Sequence, residues 1–89
     1  MSPVSLVVLI SPSCTHCERF LQYWEKEQSN WENVTMREVS IVTPEGQELA
    51  REKFVFASPG IIMNGELCFS GGYDEKEFLA TLKAFSIAS

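Results

Sequence analysis

The most informative stretch of the chain lies near its N-terminus and reads VSLVVLISPSCTHC, residues 4–17. Its first half, Val4–Ile10, is almost entirely apolar and rich in Val and Ile, which is typical of a strand buried on both faces of a sheet. The Ser-Pro-Ser segment at residues 11–13 then ends the strand, and two cysteines, Cys14 and Cys17, follow. Open α/β sheets place ligands and chemistry at the carboxyl ends of central strands, so this junction is the first candidate for a functional site.

A change in the spacing of apolar residues predicts a helix directly after this junction. Apolar side chains recur at positions i, i+3, i+4 and i+7, which is one face of a helix that continues to about Glu27. These side chains are Cys17, Phe20, Leu21 and Trp24. Ser13 or Cys14 is the expected N-cap. The helical phase of Trp24 predicts that its ring belongs to the core.

A loop and a second strand are predicted next. Residues 28–33 are mostly polar and are interpreted as the loop. The strand covers residues 34–41, although its alternation is imperfect. One phase contains Val34 and Met36, and the other contains Val39 and Ile41.

A second helix is predicted to begin after this strand. Thr43 is its expected N-cap, with Pro44 at the first helical position. Gly46 is expected to weaken the helix slightly. The helix is predicted to run to about Phe54, and the side chains expected to point inward are Leu49, Ala50 and Phe54.

Residues 61–69 carry a hairpin signal. Asn64-Gly65 separates two apolar runs, and Asn-Gly is the preferred two-residue hairpin turn because both positions tolerate positive φ. Gly71-Gly72 ends the second strand of the hairpin. Asp74 then begins a last helix, with Glu77 three residues later in an acidic capping box. The apolar stripe of that helix consists of Phe78, Leu79, Leu82 and Phe85.

The order of these elements predicts the fold class. Strand, helix, strand, helix, strand, strand, helix describes an α/β protein with a four-stranded mixed sheet and helices on both faces. The first strand–helix–strand unit is expected to be a right-handed crossover between parallel strands, to which the hairpin adds antiparallel strands. With 89 residues and no repeat or linker, the chain is expected to form one domain over residues 1–89.

The charge balance argues against one broad class of partner. The chain has 12 acidic and 7 basic residues and a formal charge of −5, and its basic residues are scattered. Because phosphate backbones are bound by clustered Lys and Arg, no nucleic-acid partner is expected. The apolar run of residues 4–10 is too short to span a bilayer and lacks the flanks of a signal peptide. We therefore expect no membrane association, a cytoplasmic location by default, and a monomer.

Two cysteines at a helix start have a specific chemical use. Residues i and i+3 share a helical face, and in a first turn their side chains can reach the Cβ separation of roughly 3.8 Å that a disulfide requires. The free amides and positive dipole of the helix N-terminus stabilise a thiolate. We therefore expect Cys14 to be the exposed nucleophile that attacks a disulfide. Cys17 is expected to be the shielded thiol that resolves the mixed disulfide.

The two residues between the cysteines are expected to tune this chemistry. A histidine can carry positive charge near neutral pH, so His16 would stabilise the Cys14 thiolate and make the disulfide more oxidising. Thr15 can form a local hydrogen bond. Cys68 lies within a predicted strand and is interpreted as a small buried apolar residue. No bound cofactor is expected, because the working group is the redox-active disulfide between Cys14 and Cys17.

Two other functions are compatible with the sequence. Cys14 and Cys17, with His16, are a candidate site for binding or transferring Cu(I) or Zn(II). A closed zinc site needs four ligands, and beyond this motif the chain has only one further Cys and no second His, so no metal site within a monomer is expected, while a zinc site shared between the two copies of a dimer stays open. A non-catalytic adaptor is the other alternative, and the presence of both cysteines argues against it.

Three short motifs are distributed along the chain. They are Ser13-Cys14-Thr15-His16-Cys17 after the first strand, Ala57-Ser58-Pro59 before the hairpin, and Gly71-Gly72-Tyr73-Asp74 before the last helix. Together with the chain length and the order of elements, these motifs resemble the thioredoxin superfamily and, in size, its short glutaredoxin-like branch. The resemblance covers almost the whole chain and implies the thioredoxin fold and dithiol–disulfide oxidoreductase activity.

The resemblance also implies a substrate-binding surface. In this family the proline before the third strand is cis and lies beside the cysteines, which implies a cis Ser58–Pro59 bond and strand-like hydrogen bonds from the Ser58 backbone to substrate. Gly71-Gly72 is similar to the double glycine with which glutaredoxins receive glutathione, and the adjacent Tyr73 is a candidate contact. The implied partners are protein or small-molecule disulfides. Glutathione is a candidate co-substrate, and either glutathione or a reductase is the implied electron donor.

The sequence departs from each branch of the family at identifiable positions. Ser11 stands where glutaredoxins often have Lys or Arg, and Thr15-His16 replaces their Pro-Tyr and the Gly-Pro of thioredoxins. Val8 stands where thioredoxins have a buried carboxylate, and Ser13 where they have Trp. A His before the second cysteine is instead similar to disulfide isomerases and periplasmic oxidants. The resemblance therefore predicts the superfamily and leaves the branch open.

Overall fold

The computed structural model describes residues 2–87 of the chain. In chain order, its elements are β1 (Val4–Ile10), α1 (Thr15–Glu27), β2 (Val34–Ser40), α2 (Pro44–Lys53), β3 (Gly60–Met63), β4 (Glu66–Ser70) and α3 (Glu75–Ile87). The predicted order of strands and helices is confirmed. The segment predicted to be a loop after α1 contains one short 3₁₀ helix, Gln28–Asn30.

The four strands form one mixed sheet with the spatial order β2-β1-β3-β4. β1 lies at an inner position, parallel to β2 and antiparallel to β3. β3 and β4 form the predicted hairpin, whose turn residues Asn64 and Gly65 both have positive φ, 51° and 83°. The carboxyl end of β1 is therefore flanked by a strand on each side, which confirms the expected location of the cysteine motif.

Helices cover both faces of the sheet, as predicted. α1 and α3 pack on one face, here called the α1/α3 core, whose buried residues are Val4, Leu6, Val8, Phe20, Trp24, Ile61, Met63, Phe78 and Leu82. The other face, here called the α2 core, buries Leu9, Val39, Val55 and Ile62. β2 contributes to both, since Val34 and Met36 pack against the first core and Val39 belongs to the second. This division explains why the apolar alternation of β2 is imperfect.

The inward position predicted for Phe54 is wrong. The N-terminus of α2 is as expected, with the Gly46 N–H donating to the Thr43 hydroxyl at 3.0 Å. At its C-terminus, however, Phe54 has a left-handed backbone (φ 57°, ψ 45°), and its side chain is 72% exposed. Val55 is the residue that enters the α2 core, beside the predicted Leu49 and Ala50. Because the backbone becomes left-handed at Phe54, the inward-facing position at the end of α2 is residue 55 and not residue 54.

The last helix is capped and packed as predicted. The Glu77 N–H donates to the Asp74 carboxylate at 3.1 Å, and Phe78 and Leu82 are fully buried. Leu79 and Phe85 pack against the same core from half-buried positions. None of the helices between residues 2 and 87 combines the length and the apolar composition that a bilayer crossing requires.

Candidate active site

Cys14 is placed at the helix start by the local backbone. Ser13 adopts a left-handed conformation with φ 57°, which turns the chain out of the β1 direction. Cys14 is then the N-cap of α1, with extended backbone angles (φ −93°, ψ 108°), and its sulfur accepts a hydrogen bond from the Cys17 N–H at 3.2 Å. A sulfur in this position occupies the place of a capping side-chain oxygen and receives the positive end of the helix dipole.

The environment lowers the pKa of Cys14. Partial burial acts in the opposite direction, but it is outweighed by hydrogen bonds from the Cys17 thiol and amide and from the Ser58 hydroxyl, with the smallest lowering contribution from the nearby Ser11 hydroxyl. The pKa of Cys14 therefore lies below its ordinary value. Because the thiolate is the nucleophilic form of cysteine, this shift increases the reactive fraction of Cys14 near neutral pH.

The environment of Cys17 has the opposite effect. Cys17 lies on the buried side of α1, 3% exposed. Burial raises the pKa of its thiol, and the hydrogen bond to Cys14 raises it further. The two cysteines thus differ in exposure and acidity in the direction that the sequence predicts. Both sulfurs are free thiols in this structure, so the geometry is that of the reduced pair.

His16 and Thr15 are both exposed on the first turn of α1. Within residues 2–87, the groups that shift the pKa of Cys14 belong to Cys17, Ser58 and Ser11, and His16 is not among them. His16 instead lines an open groove of about 670 Å³ between α1 and the start of α3, together with Arg19 and Tyr73. The tuning roles of His16 and Thr15 therefore stay predictions.

Four of the five predicted substrate residues lie just before β3 or just after β4, namely Ser58, Pro59, Gly71 and Gly72. The Ser58–Pro59 peptide bond is cis, as the resemblance implies, and the Ser58 hydroxyl is 3.6 Å from the Cys14 sulfur. The Gly71 N–H donates to the Pro59 carbonyl at 3.0 Å, so the double glycine lies against the same loop. Gly71 has φ 85°, and a Cβ there would be 3.0 Å from Ala57, whereas Gly72 faces open space. Substrate contacts by these residues stay predictions.

Tyr73 turns partly toward the protein interior. Its ring packs edge-on against Phe20 with a centroid separation of 5.0 Å and lies 5.9 Å from the ring of Tyr23. Burial raises the pKa of its hydroxyl. The half-buried ring still lines the groove beside His16, so its role as a substrate contact also stays a prediction.

One feature of the site was not deduced from the sequence. It is a pair of serine hydroxyls, with Ser11 Oγ and Ser58 Oγ 2.6 Å apart. Sequence comparison with the family identified Ser11 only as a missing basic residue. The missing carboxylate, in contrast, was expected, since Val8 stands in its place; Val8 is fully buried, and no carboxylate within residues 2–87 shifts the pKa of Cys17.

Cys68 lies apart from these groups. It is half-buried on the edge strand β4, at the irregularity where β3 and β4 shift register, and it packs against the α1/α3 core. Burial raises the pKa of its thiol. Cys68 is therefore less enclosed than its interpretation as a small buried apolar residue predicts. Within residues 2–87, no three His, Cys, Asp or Glu side chains form a group that could hold a metal ion.

A dithiol at the start of a helix on a four-stranded mixed sheet defines a thioredoxin-like α/β protein. Residues 4–83 match the family model described as "Thioredoxin domain", and because this match spans most of the chain, the chain belongs to that family. A search of curated protein sequences found no significant match.

Solved structures show the same fold. A thioredoxin from Thermus thermophilus is 24% identical with a TM-score of 0.71, over 96% of this chain and 75% of that chain. A structure described as a malarial protein is 17% identical with a TM-score of 0.75, over 98% of this chain and 100% of that chain. The oxidised thioredoxin from Plasmodium falciparum is 14% identical with a TM-score of 0.71, over 96% and 83%. At these identities the similarity establishes the fold alone.

Proposed function

We propose that this protein is a dithiol–disulfide oxidoreductase. The observation that carries the proposal is the difference between the two thiols on α1. Cys14 is accessible and its pKa is lowered, whereas Cys17 is buried and its pKa is raised. A nucleophile that ionises readily beside a partner that stays protonated is the arrangement that two-step thiol–disulfide exchange requires.

The reaction follows from these positions. The Cys14 thiolate attacks one sulfur of a substrate disulfide, the substrate S–S bond breaks, and the first substrate sulfur leaves as a thiolate that takes a proton from solvent. Cys17 then loses its proton and attacks the Cys14 sulfur. The second substrate sulfur leaves, the substrate is reduced by two electrons, and the Cys14–Cys17 disulfide is formed.

We propose protein or small-molecule disulfides as substrates, with glutathione or a reductase as the electron donor. The supporting observation is that the half-buried Ser58 lies beside Cys14, with its hydroxyl 3.6 Å from the sulfur, and that Gly71 is hydrogen-bonded to the carbonyl of the buried Pro59 that follows it. Recycling of the oxidised protein by glutathione plus glutathione reductase, compared with thioredoxin reductase, identifies the donor. Equal failure of both systems would count against these two donors and not against the disulfide chemistry.

The reduction potential of the Cys14–Cys17 pair tests the proposed function. The protein is equilibrated in glutathione redox buffers and its thiols are trapped and counted. A value near roughly −270 mV indicates a thioredoxin-like reductant, and one between roughly −200 and −120 mV indicates glutaredoxin-like exchange or an oxidant. The proposal fails if no intramolecular disulfide forms at any buffer potential, and metal binding by the two thiols is then the function to test.

Cysteine variants test the separate roles of Cys14 as nucleophile and Cys17 as resolving thiol. Cys14→Ser should abolish disulfide reduction, because the nucleophile is lost. Cys17→Ser should accumulate a mixed disulfide with substrate, because the resolving thiol is lost. Cys68→Ser is the matched control and should retain activity, since Cys68 lies on β4 away from the site. Full activity of Cys14→Ser would contradict the assignment of the nucleophile.

A further inference from the structure

Two serine hydroxyls link the cis-proline loop to the reactive sulfur. The Ser58 Oγ lies 3.6 Å from the Cys14 Sγ and 2.6 Å from the Ser11 Oγ. Each hydroxyl has a single hydrogen to donate. When the Ser58 hydrogen is directed at the sulfur, the short contact between the two oxygens requires Ser11 to donate to Ser58. The direction of the chain is then Ser11 to Ser58 to Cys14.

The sheet register explains why these two residues meet. β1 and β3 are antiparallel, with Leu9 opposite Gly60. Continuing this pairing by two residues beyond the sheet brings Ser11, after the end of β1, opposite Ser58, before the start of β3. The hydroxyl contact is thus an extension of the β1–β3 ladder and is held by the backbone of both strands.

We propose that Ser11 and Ser58 form a hydrogen-bond relay that stabilises the Cys14 thiolate, with Ser58 as the donor to sulfur and Ser11 as the residue that positions Ser58. This inference rests on the proposed function of the same site. No proton is transferred in this role, because both O–H bonds stay intact and only their orientation matters. A hydrogen bond donated to Ser58 also polarises the bond that Ser58 donates, so the pair is stronger than Ser58 alone.

The charge environment of Cys14 supports this assignment. Within residues 2–87, the groups that act on its pKa are the Cys17 thiol and amide and the Ser58 and Ser11 hydroxyls, and no charged side chain contributes. The serine hydroxyls therefore stabilise the Cys14 thiolate in the way that a cationic side chain stabilises a reactive thiolate in other proteins. Since a thiolate accepts a hydrogen bond more strongly than a disulfide sulfur does, the pair favours the reduced protein and makes the disulfide more oxidising.

The rate of alkylation of Cys14 at neutral pH tests the proposal directly. Iodoacetamide reacts with the thiolate, and peptide mass spectrometry assigns the label to Cys14. We expect alkylation to slow by roughly threefold to tenfold in Ser58→Ala, which corresponds to one hydrogen bond. Ser58→Thr should react at the wild-type rate because it keeps the hydroxyl. Ser70→Ala is the matched control, since the Ser70 hydroxyl binds the Ala57 carbonyl of the same loop and not the sulfur.

A double-mutant cycle tests the order of the relay. Ser11→Ala alone should slow alkylation, but it should add little in the Ser58→Ala background if Ser11 acts through Ser58. The reduction potentials of both variants should become more negative than that of the wild type. The proposal is overturned if Ser58→Ala and Ser70→Ala alkylate equally fast, or if the effects of the two serines are independent. Because alkylation needs no substrate disulfide, this outcome is separate from a failure of the proposed oxidoreductase function.

Discussion

The α1/α3 core and the α2 core support the same sheet but differ in size and in chemistry. The α1/α3 core contains packed aromatic rings, with Phe78 edge-on to Phe20 at 5.2 Å and to Trp24 at 5.9 Å. The α2 core contains four aliphatic side chains. Beside it, Phe54 and Phe56 are 72% and 89% exposed. Since hydrophobic stabilisation scales with the apolar area removed from water, the first core contributes more to folding.

Both cores anchor elements of the candidate site. Cys14 and Cys17 begin α1, which is anchored by Phe20 and Trp24 in the larger core. Ser58 lies between Val55, which is anchored in the smaller core, and β3, whose Ile61 is anchored in the larger core. The hydrogen bond between Ser58 and Cys14 therefore joins α1 to a loop whose two ends are anchored in different cores.

Neighbouring isoleucines of β3 allow the two cores to be compared with one kind of substitution. Ile61 is buried in the α1/α3 core and Ile62 in the α2 core. We expect Ile61→Ala to lower the free energy of unfolding by about 3–5 kcal/mol and Ile62→Ala by about 2–3 kcal/mol, because the larger core closes less readily around a cavity. Urea unfolding measures both values.

Two outcomes would contradict the expected difference between Ile61→Ala and Ile62→Ala. Equal losses, or a larger loss for Ile62→Ala, would mean that the α2 core is as tightly packed as the α1/α3 core. Because the total stability of so small a domain is modest, Ile61→Ala is expected to unfold near room temperature. If it does, Ile61→Val and Ile62→Val make the same comparison at roughly 0.5–1.5 kcal/mol.

Gly46→Ala tests how closely α2 approaches the sheet. Helix propensity alone predicts that Ala stabilises a helix interior by about 1 kcal/mol over Gly. In the structure, however, a Cβ at Gly46 would lie 1.9 Å from the Ser40 carbonyl oxygen at the end of β2. We therefore expect a loss of about 1–3 kcal/mol in the free energy of unfolding, with the opposite sign from the propensity effect.

Gly72→Ala is the control for this prediction. Gly72 faces open space, so Ala there is expected to be neutral or to stabilise by about 0.4–1 kcal/mol through the unfolded state. Thermal unfolding of both variants separates the two effects. A higher melting temperature for Gly46→Ala would show that α2 can move away from β2 without loss, as a weakly packed face permits.

The parts of the fold that follow from local chemistry could be predicted from the sequence. The apolar run of β1, the helical spacing after Cys14 and the Asn64-Gly65 turn each depend on neighbouring residues, and the structure confirms all three. The assignment of Cys14 and Cys17 to a helix start belongs to the same group. Periodicity and turn chemistry are sufficient here because they act within one element.

The parts that depend on contacts between different elements could not be predicted. Gly46 lies so close to the end of β2 that a Cβ would be 1.9 Å from the Ser40 carbonyl oxygen, and helix propensity does not include such a contact. The contact between Ser11 and Ser58 depends on the register of β1 against β3, which joins residues 47 positions apart. Phe54 is a local failure, because periodicity does not show where a helix end changes to a left-handed backbone.

The smallest expected effect on stability concerns an unpaired hydroxyl group that packs against the α1/α3 core. The Tyr23 hydroxyl is shielded from solvent and has no hydrogen-bond partner among residues 2–87. Burial raises the pKa of Tyr23 to about 12, and the charges of Glu27 and Glu75 act in the same direction. Tyr23→Phe removes the unpaired hydroxyl and keeps the ring. We expect the free energy of unfolding at neutral pH to stay unchanged or to rise by up to about 1 kcal/mol.

The raised pKa of Tyr23 also makes the free energy of unfolding depend on pH. The folded-state pKa of Tyr23 lies above the ordinary value of about 10, so folding favours the protonated phenol. The stabilisation that comes from the protonated Tyr23 phenol is fully present below about pH 10 and is lost as the pH rises toward about 12. Unfolding experiments across this range should show a smaller alkaline loss for Tyr23→Phe than for the wild type. If both proteins lose stability in parallel, while Tyr73→Phe removes the loss, then the hydroxyl whose ionisation destabilises the folded protein is that of Tyr73.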